Sequence, residues 1–122
     1  MSRSETLSRL IKNLSITTPD VEAAAVIDND GLVIASALPA DVDDDAVAAM
    51  AAALLGIGER IVAELRRGNF EVVMIRGDLG YLILTRSGPD SVLAILATKS
   101  AKLGLIFLDA ARTAKEIART LA

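Results

Sequence analysis

The chain has 122 residues, 52% of them hydrophobic and 24% charged, with a formal net charge of -3. This is the composition of a globular domain with a real core, and its acidic balance leaves no electrostatic footprint for nucleic acid. Histidine, cysteine and tryptophan are absent, which excludes disulfides, Ser-His-Asp and Cys-His catalysis, and the usual ligands of zinc.

The first predicted helix covers Ser4 to Ser15, where Leu7, Leu10, Ile11 and Leu14 form one helical stripe. Thr17, Thr18 and Pro19 end it. The N-terminal stretch lacks the long apolar run of a signal peptide, and with the missing cysteines this is compatible with a cytoplasmic location. Val21 to Asp28 reads as a strand, Asn29-Asp30-Gly31 as a tight turn, and Leu32 to Ala37 as the returning strand of a hairpin. The turn opens like a calcium loop, but the later ligands and the closing Glu are missing.

After a loop from Leu38 to Val42 comes the most unusual segment. From Ala46 to Gly58 the chain reads AVAAMAAALLGIG, without one charged or hydrogen-bonding side chain, and it continues as ERIVAELRR to Arg67. Asp43, Asp44 and Asp45 suit the positive end of this helix, which explains them (with Asp41) better than a metal site does. Arg66 and Arg67 suit its negative end, and Gly68 is placed to follow the cap. The apolar run is shorter than a bilayer span, so no membrane insertion is expected. At about 100° per residue, Val47, Met50, Leu54, Ile57, Ile61 and Leu65 share a face, flanked by Leu55 and Val62, that is expected to cover the domain's own sheet. Ala49, Ala53, Gly56, Arg60, Ala63 and Arg67 lie opposite, and Ala52 with Gly56 adds a small-xxx-small spacing that admits a second backbone. A helix this apolar needs cover on more than one side. The chain has few elements to supply it, so a second copy is expected to do so.

Phe70 to Ile75, Tyr81 to Thr85 and Val92 to Ala97 read as three further strands, separated by Gly77-Asp78-Leu79-Gly80 and Ser87-Gly88-Pro89-Asp90. The last strand is a continuous apolar run, as a central strand covered on both faces should be. A final helix from Leu103 to Leu121 carries the stripe Leu103, Ile106, Phe107, Ala110, Ala114, Ile117 and Leu121. The order predicts a single α/β (α+β) domain over residues 1–122 with a mostly antiparallel five-stranded sheet. No P-loop occurs, the lone Gly56-Ile57-Gly58 is not a dinucleotide loop, and nothing activates Lys99, Lys102 or Lys115 as a nucleophile. No catalytic, cofactor or metal site is therefore expected.

Taken together, AAAVIDNDGLVIAS, the apolar helix after an Asp-rich loop, the short Gly-ended strands and AKLGLIFLDAARTAKEIA resemble the Roadblock family over about Leu7 to Leu121. That family includes the dynein light chain roadblock and bacterial and archaeal regulators of Ras-like GTPases. The resemblance implies a profilin-like αββαβββα fold, with the middle helix on one sheet face and the terminal helices on the other. It implies homodimers joined through middle helices and sheet edges, acting as platforms for Ras-like small GTPases. In the gliding-motility regulators, the platform speeds GTP hydrolysis without supplying an arginine finger. In the family's strand order Phe70 to Ile75 lies at an edge, and with only Glu71 and no Pro to block pairing it is open to a partner strand. The expected dimer interface is Ala49, Ala52, Ala53, Gly56, Arg60, Ala63, Phe70, Val72 and Met74. Ala49, Ala53, Glu59, Arg60, Arg66 and Arg67 are the expected GTPase contacts, with Arg60 alternatively paired to Glu64 at i+4. The alternative function is a structural adaptor with no effect on nucleotide turnover.

Overall fold

The computed structural model describes residues 2–122. Its elements are α1 (Arg3–Thr17), β1 (Val21–Asp28), β2 (Val33–Ser36), α2 (Asp44–Glu64), β3 (Val73–Gly77), β4 (Gly80–Arg86), β5 (Ser91–Thr98) and α3 (Leu103–Leu121). The strands form one sheet in the order β2-β1-β5-β4-β3, and each neighbouring pair is antiparallel. The expected order of elements and five-stranded sheet are present.

Central β5 shows why both sheet faces are covered. Leu93, Ile95 and Ala97 point into a core shared with Leu7, Ile11 and Leu14 of α1 and Ile106 and Ile117 of α3. The alternate residues Val92 and Ala94 face Ala48, Ala51 and Leu55 of α2. The period-2 alternation of a strand thus feeds two separate cores from one uninterrupted apolar run. β1 does the same with Val26 on the first face and Ala25 and Ile27 on the second.

Of the boundaries that differ from the expected ones, three have distinct local reasons. α1 starts earlier because the Ser2 side chain accepts a hydrogen bond from the Glu5 amide at 3.1 Å, capping the first turn. β3 begins at Val73 rather than Phe70, because the Phe70 ring turns in to pack with the α2-side core. Glu71 therefore lies outside the strand, and Arg76 lies within it.

α2 ends at Glu64 rather than Arg67. The Arg67 amide donates to the Val62 carbonyl at 3.0 Å and the Arg66 amide to that of Ala63 at 3.1 Å. This is a Schellman close in which Arg66, at φ 53°, takes the left-handed C′ place expected of Gly68, and Gly68 follows with positive φ of its own, at 86°. An L-residue there costs about 1–2 kcal/mol. Arg66→Gly should therefore raise stability by about 1 kcal/mol, less the entropy glycine adds to the unfolded chain. Urea unfolding of the variant measures it, and a loss of stability would contradict this account of the helix end.

Candidate association surface

The middle helix meets the sheet mainly through small residues and is rotated about its axis from the expected orientation. Ala48, Ala51 and Leu55 are buried against the sheet. Met50, Ile57, Ile61 and Leu65, expected to cover it, are instead 65%, 55%, 51% and 60% exposed, while Val47 and Leu54 are half-buried on the flank. Size decides the face, since small side chains let the helix approach the sheet closely.

Two glycines mark the approach. A Cβ on Gly31, in the β1–β2 turn at φ 83°, would lie 3.1 Å from the Ala49 Cα. A Cβ on Gly58 would lie 2.7 Å from Val73 Cγ2 and 3.2 Å from Phe70 Cε1. Leu55 fills the space left on this side of α2, and Met50, Ile57, Ile61 and Leu65 face outward. The helix is also pinned electrostatically. The Arg86 guanidinium of β4 donates to both Glu59 carboxylate oxygens, at 2.8 and 3.1 Å, and also to Asn29 Oδ1 and the Pro89 carbonyl. One side chain ties α2 to the β1–β2 and β4–β5 turns. Arg86 was not anticipated as an anchor, because nothing local in the sequence distinguishes it.

The other expected contact residues fall as follows. Ala49, Ala53, Ala63, Arg60, Arg66 and Arg67 are exposed, and Ala52 and Gly56 are half-buried. Nothing lies within 4 Å of a Cβ built on Gly56, so that side of α2 is open. Glu59 is engaged by Arg86, whereas Arg60 and Glu64 form no ion pair among the described residues. Asp43 alone of the Asp cluster caps the helix by its side chain, accepting from the Asp45 and Ala46 amides, and no metal-binding group of acidic residues occurs among the described residues. β3 ends the sheet order, and its Val72 neighbour and Met74 are 40% and 43% exposed.

The outward stripe accounts for one further departure. α2 is 21 residues long, with a window of mean hydropathy 1.7 of which 17% is buried. By length and composition alone it is apolar enough to cross a membrane. The run does not stop at Gly58, because Glu59 and Arg60 interrupt it only briefly before Ile61, Val62 and Ala63. In the fold it lies across the sheet, and its hydropathy is the open apolar stripe. The α2-side face of the sheet continues that surface. Ile75 is 48% exposed, and its neighbours Leu82 and Leu96 are half-buried. These were missed because a strand's alternation does not reveal how far a helix reaches across it.

The chain is a two-core α/β sandwich with an open apolar helix and an open sheet edge. The Roadblock/LC7 domain family profile matches residues 7–97. The chain belongs to the Roadblock/LC7 domain family. It is 39% identical over 100 residues to the protein named "Uncharacterized protein MJ1340" of Methanocaldococcus jannaschii, covering 82% of this chain and 87% of that one. Among solved structures, "MglB with tetrameric arrangement" superposes with a TM-score of 0.88 at 21% identity, covering 98% of this chain and 90% of that one. A Roadblock/LC7 domain from Streptomyces avermitilis gives 0.85 at 25% identity, over 93% and 96%. Profilin IB of Acanthamoeba castellanii gives 0.63 at 14% identity, over 95% and 99%, so the fold is profilin-like.

Two substitutions separate the sheet-facing and open sides of α2. Gly58→Ala should lose about 1–3 kcal/mol through its clash with Val73, although alanine is the better helix former. Gly56→Ala should gain up to about 1 kcal/mol in the single chain. Chemical denaturation under dilute conditions reads both, and a stabilising Gly58→Ala would overturn the helix placement.

Proposed function

We propose that two copies of this chain pair through α2 and the free edge of β3, and that the pair is a non-catalytic platform that binds and regulates a Ras-like small GTPase. The observation that carries this reading is the α2 surface. Met50, Ile57, Ile61 and Leu65 are open to solvent along one stripe. Burying the exposed half of each contributes on the order of 1 kcal/mol. Ala49, Ala53 and Gly56 leave room beside the stripe for a partner backbone. The structural likeness to a tetrameric MglB supports association, and membership of the Roadblock/LC7 family supports a GTPase as the client.

The outer end of α2 supplies the client's contact. Arg60, Arg66 and Arg67 are exposed, and no ion pair among the described residues uses them. They rim the shallow cleft of Ile57, Ile61 and Leu65 that the second copy covers, and Glu64 lies on the same rim. Exposed arginines along the rim of the paired helices suit the mobile switch loops of a GTPase. Holding those loops in a reactive arrangement speeds hydrolysis by positioning alone, with no group inserted into the nucleotide site.

The test uses a Ras-like GTPase from the same genome, loaded with GDP or a non-hydrolysable GTP analogue. Binding should differ at least ten-fold between the two states. Replacing Arg60, Arg66 and Arg67 together by Ala should weaken the tighter complex about ten-fold, or about 1.4 kcal/mol. Equal affinity for both states, or full affinity in the triple variant, would contradict the proposal.

A further inference from the structure

The two helices on the far side of the sheet from α2 have an outer face of their own. On α1 the residues opposite buried Leu7, Ile11 and Leu14 are Glu5, Arg9, Lys12 and Ile16, all exposed. On α3 the residues opposite buried Ile106, Ala110 and Ile117 are Leu105, Leu108, Arg112, Lys115 and Arg119, also all exposed. The Thr18 hydroxyl donates to the Asp109 carboxylate, which sets the C-terminal end of α1 beside the N-terminal half of α3. Ile16, Leu105 and Leu108 therefore lie toward the same end of this face, and they are 76%, 55% and 65% exposed. The basic residues run from there along both helices.

Charge is sorted between the two sides of the molecule. Residues 2–20 and 99–122, which make this helical layer and its flanks, carry eight Lys or Arg and four Asp or Glu, a net of +4. Residues 21–98, which make the sheet and α2, carry five and twelve, a net of -7. A chain that is acidic as a whole thus has one basic face. Lys12 and Arg119 form no ion pair among the described residues, Arg112 is held by Asp109, and Glu5 is the one carboxylate on the two outward stripes. The acidic start of α2 lies two layers away, about 20 Å, which is more than two Debye lengths of about 8 Å at physiological ionic strength. A charged surface pressed against α1 and α3 is therefore met by the local +4 and not by the overall -3.

The mixture on this face selects the occupant. Aliphatic side chains stand out singly from a layer of two helices, with long basic side chains beside them whose stems cover apolar surface while their heads reach outward. No Trp is present and the one Tyr lies in the sheet, so the face has no platform for stacking bases. Apolar and cationic residues on one side of a helix that lies flat are the pattern of an interfacial surface.

We propose that the outer face of α1 and α3 docks on an anionic lipid membrane, with Ile16, Leu105 and Leu108 entering the headgroup region and the flanking Lys and Arg meeting lipid phosphates. Nothing spans the bilayer, and adsorption is to one leaflet. The α2 side, with its apolar stripe and arginines, then points away from the lipid and stays free for a second copy and a client. Antiparallel pairing at β3 would turn the same face of both copies toward one plane and double the footprint, although the face is complete within a single chain.

Vesicle flotation tests this. In about 50 mM salt, vesicles of about 30% phosphatidylserine in phosphatidylcholine should bind the chain at least about ten-fold more tightly than phosphatidylcholine alone, and about 0.5 M salt should remove most of that difference. Lys12→Glu combined with Arg119→Glu should weaken binding to the anionic vesicles at least about ten-fold. Leu105→Asn combined with Leu108→Asn should weaken it at least about five-fold. All four side chains are exposed, so both variants should keep the wild-type melting temperature. Equal binding to the two kinds of vesicle, no binding to either, or full binding in the charge variant would overturn the proposal. A leucine variant that binds like the wild type would overturn it too, because that is the behaviour of a polyanion site and not of a lipid surface.

Discussion

The close seat of α2 on the sheet is the constraint from which the rest of the surface follows. Ala48 and Ala51 bring the helix down, Gly31 and Gly58 remove the side chains that would hold it off, and Leu55 fills what space is left. Once those positions are spent on close approach, the helix's larger apolar residues have only solvent to face. A seat built from large residues would have hidden Met50, Ile57 and Ile61 and made an ordinary amphipathic helix. Here the chain keeps a complete inner contact and still displays an oily outer one.

That seat is also oriented. The Arg86–Glu59 pair, with side-chain exposures of 28% and 36%, contributes little net stability as a partly solvated ion pair. Its geometry matters more, because the same guanidinium reaches Asn29 and the Pro89 carbonyl. It sets the rotation of α2 about its own axis and so decides which residues are presented. The Schellman close at Arg66 acts at the other end, turning Arg66 and Arg67 out where a continued helix would have wound them round. Shape, apolar surface and charge on the outer side of α2 are therefore set by contacts made underneath it.

Much of the fold was legible in the sequence. The continuous run Val92–Ala97 identified the central strand, Asn29-Asp30-Gly31 the hairpin, and the Leu7, Ile11 and Leu14 stripe the first helix, because each depends on local pattern. The open character of α2 was legible too, but its orientation was not. A helical projection ranks residues by hydrophobicity and assumes that the largest go inward. It carries no information about how close the sheet lies, which here depends on Gly58 meeting Val73 and Phe70 from another part of the chain. The clamp by Arg86 was invisible for the same reason, with 27 residues separating it from Glu59. The inward turn of Phe70 displaced the start of β3, since a strand-like composition does not show which face an aromatic ring will seek.

The central claim is that the outer stripe of α2 is covered by a second copy of the chain. Sedimentation equilibrium across a dilution from about 100 µM to about 1 µM tests it directly, with the double variant Ile57→Glu, Ile61→Glu run alongside. The account predicts twice the chain mass for the wild type at the upper end of that range and a single chain mass for the variant, with the variant's circular dichroism unchanged. A wild-type chain that remains single at every concentration, with its stripe open to water, would contradict it.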